Sequence, residues 1–282
     1  MKETESWDFV IRSKRKIFDL QLREVLRYKD LIFLFVKRDF VTLYKQTILG
    51  PLWFIINPLI ATIMYLFVFG KLANLGTDGI PFILFYYTGT LLWTFVKGCL
   101  MDASNVFVTN ANIFGKVYFP RFTVAISNIF NNLIRAGVQF VMLIGFFIYY
   151  LYVTDDLQPS WFICAFPLIF LWLAIIGTGM GMVISALTTK YRDLRIVLPF
   201  VVDLAMYAAP VVYPMSQIPA KYAWINYVNP ISAPIELFRI WFYGAGYIPP
   251  MMMLSSVCIT ITIFFIGLLL FNQNERNFVD VV

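Results

Sequence analysis

The chain has 282 residues, of which 60% are hydrophobic, 18% aromatic and only 13% charged, with a mean hydropathy of +0.76. A soluble domain carries about 25% charged residues, so this composition excludes an ordinary soluble fold and points to a chain whose solvent is mostly lipid. The net charge of +6 and the absence of histidine exclude His-based triads and nearly all zinc chemistry; nucleic acid is set aside as a partner because the basic residues flank apolar segments.

Residues 1–47 form a basic head. Eleven Lys and Arg fall within the first 45 residues, and no apolar h-region of a cleavable signal is present there. Asp30–Gln46 alternates Lys37, Arg38, Asp39 and Lys45 with Phe40, Val41, Leu43 and Tyr44. This pattern predicts an amphipathic helix lying in the membrane interface, with a solvated linker helix as the alternative.

From Ile48 to Phe271 the chain is almost continuously apolar, and about 20 apolar residues make one helical span. The reading is an all-α integral membrane protein with six spans, at about 48–69, 80–100, 124–152, 161–187, 196–212 and 249–271. Residues 48–271 form the transmembrane domain, and 272–282 a polar tail. Asn57-Pro58 predicts a kink near Ile56 in span one. Lys97 is expected to snorkel to the interface from span two. Outer segment 213–248 is too broken by proline for one span and too apolar for a solvated loop. It reads as short helices folding back at a pore mouth, or as an interfacial aromatic belt.

With this threading, inner segments hold 17 Lys and Arg, outer segments hold Lys71, Lys221 and Arg239, and Lys97 and Arg135 lie within spans, which accounts for all 22. Basic residues collect on the cytoplasmic side, so both termini are expected in the cytoplasm. The basic flanks would meet the anionic headgroups of the surrounding membrane lipids.

Chemistry-bearing motifs are sparse. There is no G-x-x-x-x-G-K-[ST] phosphate loop, and nothing calls for a metal or cofactor in this chain. Gly177-Thr178-Gly179-Met180-Gly181 resembles a nucleotide loop but falls inside a span, where small residues serve helix contact. Arg135 and Asp203 are ionisable residues inside spans, read either as a proton-coupled pair or as a structural ion pair. Cys99, Cys164 and Cys258 lie far apart in apolar sequence, without redox or metal spacing. The inner loop Val106–Arg121 predicts a short helix presenting Ile113, Phe114, Val117 and Tyr118 to a partner. Aromatics within spans, including Trp53, Phe54, Tyr65, Tyr86, Tyr87, Trp93 and Tyr207, would suit a carbohydrate path, since aromatic faces pack on sugar rings. They would also suit a packed core. Glu236 and Arg239, three apart, are placed to pair on one helix face.

Arg38-Asp39-Phe40, YKQTILGPLWFIINPL (Tyr44–Leu59), NANIFGKVYFPR (Asn110–Arg121), TKYRDLR (Thr189–Arg195), YVNP (Tyr227–Pro230) and NERNFVD (Asn274–Asp280) occur in this order. Together they resemble the membrane subunit of type-2 ABC exporters for cell-surface polysaccharides, a group that exports O-antigen, capsule and teichoic-acid chains. The resemblance implies a transport subunit, not an enzyme, working as a homodimer with two separate ATP-binding subunits that hold ATP and Mg. It implies that Asn110, Asn112, Ile113, Phe114, Lys116, Tyr118 and Arg121 couple to the ATPase, and that Lys37, Arg38, Asp39 and Lys45 belong to an interface helix. It further implies a path for lipid-linked polysaccharide between the two copies. Trp53, Phe54, Tyr65, Tyr207 and Tyr213 would line that path, and Trp224, Tyr227, Pro230, Glu236 and Arg239 would lie on outer gate helices. The rivals are an exporter of teichoic acid, drugs or small lipids and, more remotely, an intramembrane glycosyl- or acyltransferase.

Overall fold

The computed structural model describes residues 27–45, 48–117, 119–154, 157–191 and 193–279. The described residues are all helix, turn or irregular backbone, with no strand among them. The expectations for Tyr118, for Arg192 and for most of the basic head lie outside them.

The helices, in chain order, are α1 (Lys29–Tyr44), α2 (Trp53–Tyr65), α3 (Phe82–Ser104), α4 (Val106–Thr109), α5 (Ala111–Phe114) and α6 (Phe122–Val153). They are followed by α7 (Phe166–Lys190), α8 (Leu194–Ala205), α9 (Trp224–Val228), α10 (Ser232–Tyr243) and α11 (Pro250–Val279). A 3-10 turn leads into α2 at Gly50–Leu52, and Leu66–Leu72 prolongs it as a π-helix. Pro58 does not break α2. Among the described residues five helical stretches are long and apolar enough to cross a membrane: Gly50–Leu72, Phe82–Ser104, Phe122–Val153, Trp161–Thr188 and Pro250–Gln273. The chain is therefore a multi-pass membrane protein.

The helix α3 is the hub. In its most apolar window 78% of the residues are buried, against 11% for the stretch that contains α2. It packs against α6 and α7, and α7 packs in turn on α11. Gly177 and Gly181 make the α3–α7 contact possible. A Cβ on Gly177 would lie 2.8 Å from the Val96 carbonyl oxygen, and one on Gly181 would meet Leu100 and Ala103. Close backbone approach replaces the hydrophobic driving force that lipid cannot supply between helices. The Gly-rich run is thus a packing device, and its resemblance to a nucleotide loop has no structural counterpart.

Two ends can be distinguished by what meets there. At the basic end, Phe107 of α4 lies 4.7 Å from Phe271 of α11, and Phe35 of α1 lies 5.7 Å from Phe119, ring centre to ring centre. At the far end residues 78–80 and 157–160 meet the end of α10. The Gln158 and Ser160 amides donate to the Tyr243 and Trp241 carbonyls, and Gly244 takes the left-handed conformation (φ 70°) that stops α10.

The expected fifth span is shorter as a helix than the hydropathy implies. The helix α8 has 12 residues, about 18 Å at 1.5 Å each, and a 3-10 turn, Met206–Ala208, follows it. A run of turns and bends follows at residues 209–213, and Ser216 reaches Asp78 at the far end (2.6 Å). From there the chain dips back. The Ser256 hydroxyl, about 9 Å along α11, donates to the Pro230 carbonyl (2.6 Å), and α10 then returns to the far end. The expected tail is also different, because α11 continues to Val279.

Candidate functional site

Helices α2 and α8 are the least covered of the apolar elements, and they approach each other at their far ends, where the turn after α8 meets the end of α2. The Tyr65 hydroxyl lies 3.5 Å from the Met206 Sδ, and the Phe69 and Tyr207 rings are 6.3 Å apart. The Tyr213 hydroxyl donates to the Tyr207 carbonyl (3.0 Å). Ile60, Ile63, Met64 and Phe67 on α2 and its continuation, and Ile196, Val197, Phe200, Val201 and Leu204 on α8, are exposed. The two helices therefore form one broad uncovered strip with tyrosines along their junction. In a membrane protein such a strip faces lipid or a partner, and the tyrosine hydroxyls along it are polar groups that lipid tails cannot satisfy.

Of the five residues expected to line a path, the structure brings three together: Tyr65, Tyr207 and Tyr213. Trp53 and Phe54 stand apart at the basic end of α2, about 18 Å along the helix from Tyr65. Phe54 lies under the Arg135 guanidinium at 5.8 Å. Tyr86, Tyr87 and Trp93 on α3 are core residues, each 5% exposed or less.

The ionisable residues also pair differently from the reading of the sequence. Asp203 does not meet Arg135. It forms an ion pair with Lys97 of α3, directly beside the tyrosine junction, so Lys97 does not snorkel away. Arg135 sits one turn above the Asn132 side chain, which donates to Asp102 (2.8 Å). Asn131, next to it, donates to Asp39 of α1 (3.3 Å), and Asp39 also accepts from Arg38 (2.7 Å). Asp39 thereby ties α1 to α6, while Phe33 and Leu34 stay exposed beside exposed Lys37. Lys45 is also exposed. This placement suits a helix held on one side by the bundle and wetted by headgroups on the other.

The basic-end loop is two four-residue helices, α4 and α5, where the sequence suggests one. Its apolar side chains turn inward. Ile113 and Phe114 pack on the cluster of Phe35, Phe107, Phe119 and Phe271. Arg121 is buried, 5.0 Å over the Phe114 ring and 5.7 Å over Phe107, and Asn110 is buried with its amide on the Val106 carbonyl (3.1 Å). The presented face is instead Asn112, Gly115, Lys116 and Val117. Phe114 is half-buried and Phe119 buried, so these two rings are not an open docking face.

At the far end the re-entrant segment is held by a buried ion pair. Arg239 and Glu236 are 1% and 2% exposed. The guanidinium donates to Glu236 (3.3 Å) and to the Val211 carbonyl (3.1 Å), and stacks 3.7 Å over the Phe85 ring. The Asn229 amide donates to the Ala208 carbonyl (2.9 Å). Non-helical backbone at membrane depth needs such partners, and Gly89 lets the Val211 carbonyl come close to α3. Trp224 is exposed, Tyr227 half-buried and Pro230 buried.

An uncovered strip between two crossings, a basic-end loop and a re-entrant far-end segment are the parts of a transport subunit. The ABC-2 type transporter family matches residues 30–243. The chain belongs to that family.

Relatives of this ABC-2 chain include the O-antigen export system permease protein RfbA of Klebsiella pneumoniae, 28% identical over 257 residues, 90% of this chain and 95% of the relative. RfbA of Myxococcus xanthus is 22% identical over 85% of this chain and 91% of the relative. The polysialic acid transport protein KpsM of Escherichia coli is 22% identical over the same shares. Sequence reasoning missed Lys97 as Asp203's partner in this ABC-2 chain. The two are 106 positions apart, and the only local signal was that each is an isolated charge in an apolar run.

Proposed function

We propose that this chain is the permease subunit of an ATP-driven exporter of a cell-surface polysaccharide, an O-antigen-like glycan delivered on a lipid carrier. It resides in the bacterial inner membrane with both termini in the cytoplasm. Two copies face each other across the α2–α8 strip and enclose the path. Two ATP-binding subunits, which hold ATP and Mg, dock on the basic end at Asn112, Lys116 and Val117.

The observation that carries this reading is the tyrosine junction of Tyr65, Tyr207 and Tyr213 on the uncovered strip, in a chain whose relatives are named for O-antigen export. A sugar hydroxyl stripped of water without a partner costs several kcal/mol. Aromatic rings cover the apolar faces of pyranoses, and phenolic hydroxyls supply hydrogen bonds. A glycan therefore crosses such a strip against a lower barrier than it meets in lipid. The α1 helix keeps the strip's basic end at headgroup level, where a lipid-linked chain enters.

The test is deletion of the gene in its own host, with co-purification of the tagged chain from native membranes. The expected result is loss of a surface glycan, accumulation of its lipid-linked form inside, and recovery of an ATP-binding subunit with ATPase activity. Unchanged surface glycan and a chain that purifies without an ATPase refute the proposal.

A further inference from the structure

The Lys97–Asp203 pair is out of place for a structural ion pair. It lies about 10 Å from the basic end of α3 and about 14 Å from the basic end of α8, within apolar crossings. Yet the side chains are 33% and 58% exposed. Ionisable side chains at membrane depth face a bundle interior or a watered cavity, because hydrocarbon does not solvate them. Here the acid is the more open partner, and it projects from the uncovered face of α8 among Phe200, Leu204 and Tyr207. Lys97 reaches it from the buried hub helix. One member is thus anchored and the other offered. Beside it stand Tyr65, Met206 and Tyr207, where the far ends of α2 and α8 meet.

We propose that Lys97 and Asp203 form a saccharide subsite midway along the path, in which the Asp203 carboxylate accepts hydrogen bonds from sugar hydroxyls while the tyrosine junction packs against the ring. Lys97 is a positioning residue that holds the carboxylate aimed along the strip. The ligand class is a hydroxyl-rich, uncharged sugar unit. A carboxylate at the most open point of the strip repels a chain that carries an acid on every residue. The subsite deepens the export reading above and rests on it.

Removing both charges separates this role from a structural one, because exchanging an ion pair for apolar side chains of similar size leaves a fold intact or firmer. Lys97→Met with Asp203→Leu is introduced into the full transporter in its own host. Protein level and ATPase co-purification are expected to stay normal. Surface glycan is expected to fall about tenfold, the effect of one charge-assisted hydrogen bond. Asp203→Asn, which keeps one acceptor oxygen but loses the charge and leaves Lys97 without its partner, is expected to export between the double variant and the parent. Parent-level export by the double variant overturns the subsite.

A second measurement stands if the double variant fails to accumulate. Asp203→Cys, with Cys99, Cys164 and Cys258 replaced by alanine, is treated in inside-out vesicles with a charged, water-soluble maleimide. The expected result is labelling that slows in vesicles loaded with the host's lipid-linked glycan, relative to vesicles from a strain that makes none. An unreactive thiol at position 203, or a rate that ignores the glycan, overturns the proposal. A gene deletion that leaves surface glycan unchanged instead overturns the export reading itself, so the two failures are distinguishable.

Discussion

Replacing Arg239 with Met should cost more than removing the whole Glu236–Arg239 pair. The guanidinium holds three things at once: the Glu236 carboxylate, the Val211 carbonyl and the Phe85 ring. Losing one partner of a buried pair strands the other charge, at about 3–5 kcal/mol. The Val211 carbonyl, left without a donor where no water replaces it, adds about 1–3 kcal/mol. We expect about 5 kcal/mol for Arg239→Met, which exceeds a third of the stability of a typical protein. In Glu236→Gln with Arg239→Met no charge is stranded, and only the carbonyl and ring contributions are lost, so about 2 kcal/mol is expected. At about 2–4 °C per kcal/mol for a chain of this size, the single variant should unfold about 10 °C or more below the parent, and the double variant in between. The assay is thermal unfolding of the detergent-solubilised protein, followed by size-exclusion recovery. If the double variant is no more stable than Arg239→Met, the pair is not coupled and the argument from buried charge fails.

Lys116→Glu should reduce co-purification of the ATP-binding subunit without changing thermal stability. Phe114→Ala should lower stability by about 2 kcal/mol through lost packing on Phe107 and Phe119, so its first effect should appear in the unfolding curve. Gly177→Val should destabilise by about 1–3 kcal/mol, because the added atoms meet Val96 and Cys99 of α3. Gly145→Ala, where a new Cβ meets nothing within 4 Å, should stabilise α6 by about 0.5–1 kcal/mol. Tyr65→Ala should lower export more than protein level, whereas Trp53→Ala, away from the tyrosine junction, should change export less; equal export defects would place the path along the whole of α2.

Much of this molecule was legible in its sequence. Long apolar runs can only be helices in lipid, because every backbone group must be satisfied within the segment, so the all-α class and five of the six expected spans match long apolar helices among the described residues. The alternation of charge and Phe in α1 likewise announces a helix with one wet side. The pairing of Glu236 with Arg239 follows from helical spacing, as i and i+3 share a face.

Tertiary structure decided what local pattern cannot encode. Hydropathy read residues 196–212 as one more span, but only Leu194–Ala205 is α-helix. The helix ends ahead of Pro210, and Arg239 and Asn229, from a segment about 20 to 30 residues later, satisfy the Val211 and Ala208 carbonyls that this leaves open. The partner of Asp203 was settled the same way. Arg135 and Lys97 are both distant charges along the chain, and only the placement of α3 beside α8 selects Lys97. Which aromatics are core and which are open depends on the neighbours of each face. That is why Phe114 turned inward while Tyr207 stayed on the strip. Sequence set the kind of solvent and the helical class, and long-range contact set which charges meet and which face is left uncovered.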